Sequence, residues 1–115
     1  MLDPVFVPLE DHVRHALAPD EPRVLYEYLR VCDEVAWETR LRPRRMLYRR
    51  VFTVLMGAIS DTANPTHWRW LCLDNIYRPI QELHRCARTK SDLREVRTCS
   101  YHVQQVSEAL LQVRE

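Results

Sequence analysis

A single glycine, Gly57, serves all 115 residues. Hairpin turns, bulges and tight crossovers draw on residues that tolerate positive φ, so sheet-rich architectures are not expected. The same scarcity removes the Gly-rich loops that cradle phosphates, where backbone amides must reach the anion without side chains in the way. A P-loop or a dinucleotide-binding turn is therefore excluded. The chain also lacks His-Glu-x-x-His, Gly-x-Ser-x-Gly, the Glu-x-x-His pairs of di-iron bundles and a calcium loop of alternating aspartates. The expectation is a protein that is not an enzyme and carries no cofactor.

Lysine is nearly absent as well: Lys90 stands alone beside sixteen arginines. Guanidinium is planar, forked and weakly hydrated, which suits interfaces and phosphate contacts. A GC-rich or overlapping coding frame, as in small viral accessory genes, would give the same bias without a physical purpose. Net charge is only +1, so no global attraction draws the chain to nucleic acid or to a membrane surface. The longest apolar-rich stretch, Val51 to Ile59, falls far short of the roughly 20 residues that span a bilayer. No basic leader with an apolar run and cleavage site opens the chain, whose start is broken by Pro4 and Pro8. Cys32, Cys72, Cys86 and Cys99 are dispersed through apolar patterns and read as buried free thiols. Together these features point to an intracellular protein, cytoplasmic or nuclear and not secreted, in a reducing compartment.

What is present is helical periodicity across one domain, residues 1–115. Leu9, Val13, Ala16 and Leu17 mark a short first helix between Pro8 and Pro19. Asp20 offers a cap for a long second helix that begins near Pro22 and runs to about Thr39, with Leu25, Tyr28, Leu29, Cys32, Val35, Ala36 and Thr39 as its core face. Val24, Val31 and Trp37 widen that face. Pro43 opens a third helix to about Ile59, apolar enough on all sides to be central. Gly57 within it is read as a point of close approach for a neighbouring helix.

Pro65 starts a fourth helix to about Tyr77, and Pro79 kinks it or separates it from a continuation reaching about Arg88. Ser91 or Asp92 caps the last helix, with Asp92 and Glu95 as an approximate capping box. Val96, Cys99, Val103, Val106, Leu110 and Val113 form its narrow seam, which could pack on the bundle or on a second copy of the chain. The expected fold class is all-α, a single-domain bundle of five to six helices with short loops.

Three constellations are candidates for function. Arg40, Arg42, Arg44, Arg45, Arg49 and Arg50 fall within eleven residues. They form either a patch for RNA or an acidic partner, or a solvated corner paired with Asp33, Glu34 and Glu38. In the fourth helix, Trp68, Cys72 and Ile76 share one side while Trp70, Leu73 and Tyr77 form a second stripe. The second stripe either faces a protein partner or is enclosed by a thick core. His84, Cys86, Cys99 and His102 include two pairs that zinc could take, although residues two apart diverge on a helix and Cys99 already belongs to the seam. Buried thiols with surface histidines are the plainer reading, so no metal is expected. The functional expectation is a self-associating regulatory or adaptor protein, or a subunit of a larger assembly, with an RNA-binding regulator as the alternative.

Overall fold

The structure, a computed structural model, describes residues 6–113. Pro4 and the Val113 side chain lie outside what it describes. The helices are α1 (Phe6–Arg14), α2 (Pro22–Trp37), α3 (Leu41–Ser60), α4 (Thr66–Asn75), α5 (Tyr77–Cys86) and α6 (Lys90–Val113), with no strand among the described residues. The all-α expectation holds. The α-carbons extend 42 × 32 × 15 Å along the principal axes. A thickness of 15 Å suits two layers of helices at the usual packing separation of roughly 8–10 Å.

α3 is central and touches each of the other five helices. It buries Leu47, Tyr48, Val51, Phe52, Leu55, Ala58 and Ile59, while Arg49, Arg50 and Thr53 reach solvent. It is therefore not apolar on all sides, because the two-layer arrangement leaves one flank uncovered. Gly57 does mark a close approach, but the neighbour is a side chain. A β-carbon there would lie 2.6 Å from Arg14 Nε, and the same guanidinium pairs with Asp61 at 2.9 Å.

With so little glycine, helix ends are held by side chains from elsewhere in the chain. Carbonyls in the last turn of a helix have no intrahelical donor. Trp68 Nε1 donates to the Val13 carbonyl at 2.9 Å and Asn64 Nδ2 to that of Arg14 at 3.0 Å, closing α1. Arg69 Nε donates to Ile59 O at 2.6 Å and Asn64 also to Ala58 O at 3.0 Å, closing α3. Arg44 forks onto Ala36 O and Thr39 O at 2.9 and 2.8 Å, closing α2. Arg88 Nη1 reaches Arg85 O and Ala87 O at 2.8 and 2.9 Å, closing α5.

Several boundaries differ from expectation for identifiable reasons. α1 starts before Pro8, since a first-turn proline needs no N–H. It stops at Arg14 with Ala16 at φ 50°, so Leu17 is exposed rather than part of the core. Asp20 does not cap α2: Glu21 occupies that position, without a side-chain cap, and Pro22 is the first helical residue. α3 begins at Leu41, which places Pro43 inside its first turn. Pro65 itself is the α4 N-cap.

Of the two alternatives at Pro79 the separation holds, since α4 ends at Asn75, whose carbonyl the proline leaves without its i+4 donor. The break falls at Ile76, and Pro79 occupies the first turn of α5, making α4 and α5 one helix in two pieces. The capping box of α6 lies between Thr89 and Asp92: the Asp92 carboxylate accepts from the Thr89 amide at 3.2 Å, and Thr89 Oγ1 accepts from the Asp92 amide at 3.0 Å. Glu95 instead pairs with Arg49.

The α6 seam faces inward. Cys99 and Leu110 are buried, and Val96, Val103 and Val106 pack on the core. Among the described residues no helix is long and apolar enough to cross a membrane.

Candidate protein-docking groove

The arginine cluster is largely committed to the fold. Arg44 closes α2. Arg45 pairs with Asp92 at 2.5 Å, while Arg49 and Arg50 hold Glu95 and Glu10 through both Nε and Nη2. Arg50 also lies 5.3 Å from the centre of the Phe6 ring. The expected partners Asp33, Glu34 and Glu38 are not the ones used. Asp33 accepts from Tyr48 Oη at 2.9 Å and Arg78 Nη2 at 3.0 Å, and Glu34 pairs with Arg30. Arg40 and Arg42 are exposed, with no carboxylate partner among the described residues.

These contacts give the arginine bias a structural use. Two parallel N–H groups meeting a carboxylate, or two neighbouring carbonyls, is geometry that an ammonium cannot reproduce.

The tryptophan stripes resolve differently from expectation. Trp68, Cys72 and Ile76 enter the core as expected. Trp70 and Leu73 are half-buried and pack against the same core, so only Tyr77 of the second stripe stands clear, 54% exposed. Of the four residues weighed as zinc ligands, Cys86 and Cys99 are buried and His84 and His102 are exposed, the plainer of the two readings. No three metal-ligating side chains gather among the described residues. All four cysteines are free and buried. Burial pushes the Cys32 and Cys72 thiols up to about 12.

The aromatic that does stand out is Trp37, 87% exposed. The buried face of α2 runs through Leu25, Tyr28, Leu29, Cys32 and Ala36. Trp37 lies one residue past that face, about 100° around the axis, so it falls in register with Arg30, Asp33 and Glu34 at spacings of seven, four and three. That register was the sequence signal: a tryptophan aligned with three charged residues. Reading it as an extension of the apolar face missed it.

Trp37 stands at the edge of a groove between the end of α2, the start of α3 and the end of α5, with a volume of about 350 Å³. Its floor is Ala36, Tyr48 and Cys86, all buried, and Trp37, Leu41, Arg44, Glu82 and Arg88 are among its walls. The floor is uncharged. Burial raises the Cys86 thiol, and burial together with the bond to Asp33 raises the Tyr48 phenol.

Each carboxylate lining the groove already has an arginine partner. Asp33 is held by Arg78 at 3.0 Å and Glu82 by Arg85 at 2.6 Å. Arg44 and Arg88 bond only to carbonyls, which leave their charge uncompensated. On the other side of Trp37 a shallower depression is lined by Arg30, Asp33, Glu34, Glu38 and Arg78. There Glu38 has no cationic partner among the described residues. Trp37 thus separates a groove with excess positive charge from one with excess negative charge.

Compared with known protein families, curated proteins and solved structures, the chain matches none.

Proposed function

We propose that this chain is a non-enzymatic helical protein-interaction module, a regulatory or adaptor protein that holds a partner at the groove beside Trp37. The observation that carries this reading is an indole left 87% exposed at the edge of a walled groove. Such a side chain adds nothing to the core, and tryptophan is the residue most often found to dominate interface energetics. Tyr77 and its half-buried neighbours Trp70 and Leu73 are a secondary candidate surface, with less apolar area available to a partner. Self-association has less support than a heterologous partner, because the α6 seam that suggested pairing packs inward. An RNA-binding role is also less favoured, since Arg44, Arg45, Arg49 and Arg50 have internal partners. The four unpaired thiols favour a reducing intracellular compartment.

The test is quantitative affinity capture from the native host with the wild type, Trp37→Ala and Tyr101→Ala. Tyr101 is a second exposed aromatic, on α6. A protein recovered by the wild type and by Tyr101→Ala, but lost with Trp37→Ala, supports the reading. Equal recoveries from all three would overturn it.

A further inference from the structure

We propose that the groove takes a short acidic segment of a partner protein, one apolar side chain seated between Trp37 and Leu41 and carboxylates meeting Arg44 and Arg88. The inference rests on the interaction-module reading and adds the chemistry of the occupant.

Shape is the first argument. A volume of about 350 Å³ lies at the low end of the roughly 300–1,000 Å³ typical of ligand clefts. It suits a side chain or two from an extended segment rather than a whole helix face. The uncharged floor of Ala36, Tyr48 and Cys86 offers an apolar side chain a place out of water.

Charge is the second argument, and it selects the sign. Asp33 and Glu82 are neutralised by Arg78 and Arg85, so what remains for an incoming group is the charge of Arg44 and Arg88. Arg40 and Arg42, which flank Leu41 in sequence, add exposed positive charge without carboxylate partners among the described residues. The opposite depression, with Glu38 in excess, repels an acidic segment and directs it to one side of Trp37. A peptide can place its carboxylates only where the arginines stand. A phosphodiester chain carries charge at every nucleotide and, continuing past the groove, would run against the uncompensated Glu38 beyond Trp37.

The experiment starts from a displayed library of random short peptides selected on the full chain. Enriched peptides, made with a fluorophore, are titrated by anisotropy, alongside a short mixed-sequence single-stranded RNA. The expected peptides carry an apolar or aromatic residue flanked by Asp and Glu, and bind less tightly as salt rises. Trp37→Ala weakens them by about tenfold or more, as truncation of a central interface tryptophan does. Arg88→Glu and Arg42→Glu weaken them as well, and Tyr101→Ala leaves them unchanged. Circular dichroism confirms that each variant is folded.

Enriched peptides insensitive to Trp37→Ala and Arg88→Glu would overturn the groove assignment and leave the interaction-module reading standing. RNA bound more tightly than any peptide, with the same sensitivities, would replace the acidic segment by nucleic acid. If no peptide is enriched while host capture still returns a Trp37-dependent protein, the acidic-segment proposal alone falls. Failure of both removes both.

Discussion

Replacing Trp68 and Trp37 in turn by alanine makes the same chemical change at the two extremes of exposure, 0% and 87%. Trp68 fills the centre of the core, and its indole N–H holds the Val13 carbonyl at the end of α1 at 2.9 Å. Truncating a buried tryptophan to alanine costs about 3–5 kcal/mol in lost transfer energy and cavity. That is a large share of the roughly 5–15 kcal/mol that holds a domain of this size folded. Melting entropy of about 2.1 cal/mol/K per residue over 115 residues converts each kcal/mol into roughly 4 °C, so Trp68→Ala lowers Tm by about 12–20 °C. Trp68→Phe keeps most of the apolar volume and strands the Val13 carbonyl, which isolates the hydrogen bond at about 1–3 kcal/mol. Trp37→Ala removes a side chain that the core does not use and stays within about 0.5 kcal/mol of wild type. Urea and thermal unfolding followed by far-ultraviolet circular dichroism measure all three. Comparable losses for Trp37→Ala and Trp68→Ala would refute the assignment of one indole to the core and the other to a partner.

Arg44→Lys retains the charge but loses the fork onto Ala36 O and Thr39 O; destabilisation of about 1–2 kcal/mol is expected in urea titration, and an unchanged midpoint would contradict the capping role. The Asp61 carboxyl is held below its ordinary range by the bond from Arg14 and then by the Ala63 amide, and Asp92 by the Arg88 amide. A depressed folded-state pKa gives stability that is complete above the unfolded value of about 3.9 and disappears as pH falls through the folded value. The Tm gap between wild type and Asp61→Asn therefore closes in acid, and a gap that persists at the lowest pH would remove Asp61 from the account. The Cys32 and Cys72 thiols, raised by burial to about 12, react with a thiol reagent at mildly alkaline pH only as fast as the protein opens. Rapid stoichiometric labelling of the native chain would show that they are not enclosed.

The parts of the fold that depend on local periodicity were legible in the sequence. The apolar density of α3 marked it as central, and Leu25, Tyr28, Leu29, Cys32 and Ala36 defined the buried face of α2 without tertiary information. Illegible were contacts between residues far apart in the chain. Nothing near Val13 announces that Trp68 will close α1, and nothing near Arg49 or Arg50 points to Glu95 or Glu10 rather than to the nearby acids of α2. The site lay between these cases. Trp37 could have been found from its alignment with Arg30, Asp33 and Glu34, whereas the groove beside it exists only once Arg88 and Glu82 are brought against α2 and α3.

Because α1, α2 and α3 are each terminated by a donor from another segment of the chain, helix length here is a property of the assembled molecule. A peptide covering any one of them would have ragged, shifting limits, and segments could not be exchanged with those of another bundle as independent cassettes. The stop signals arrive only with docking, so ordering of the ends and consolidation of the interior become one event.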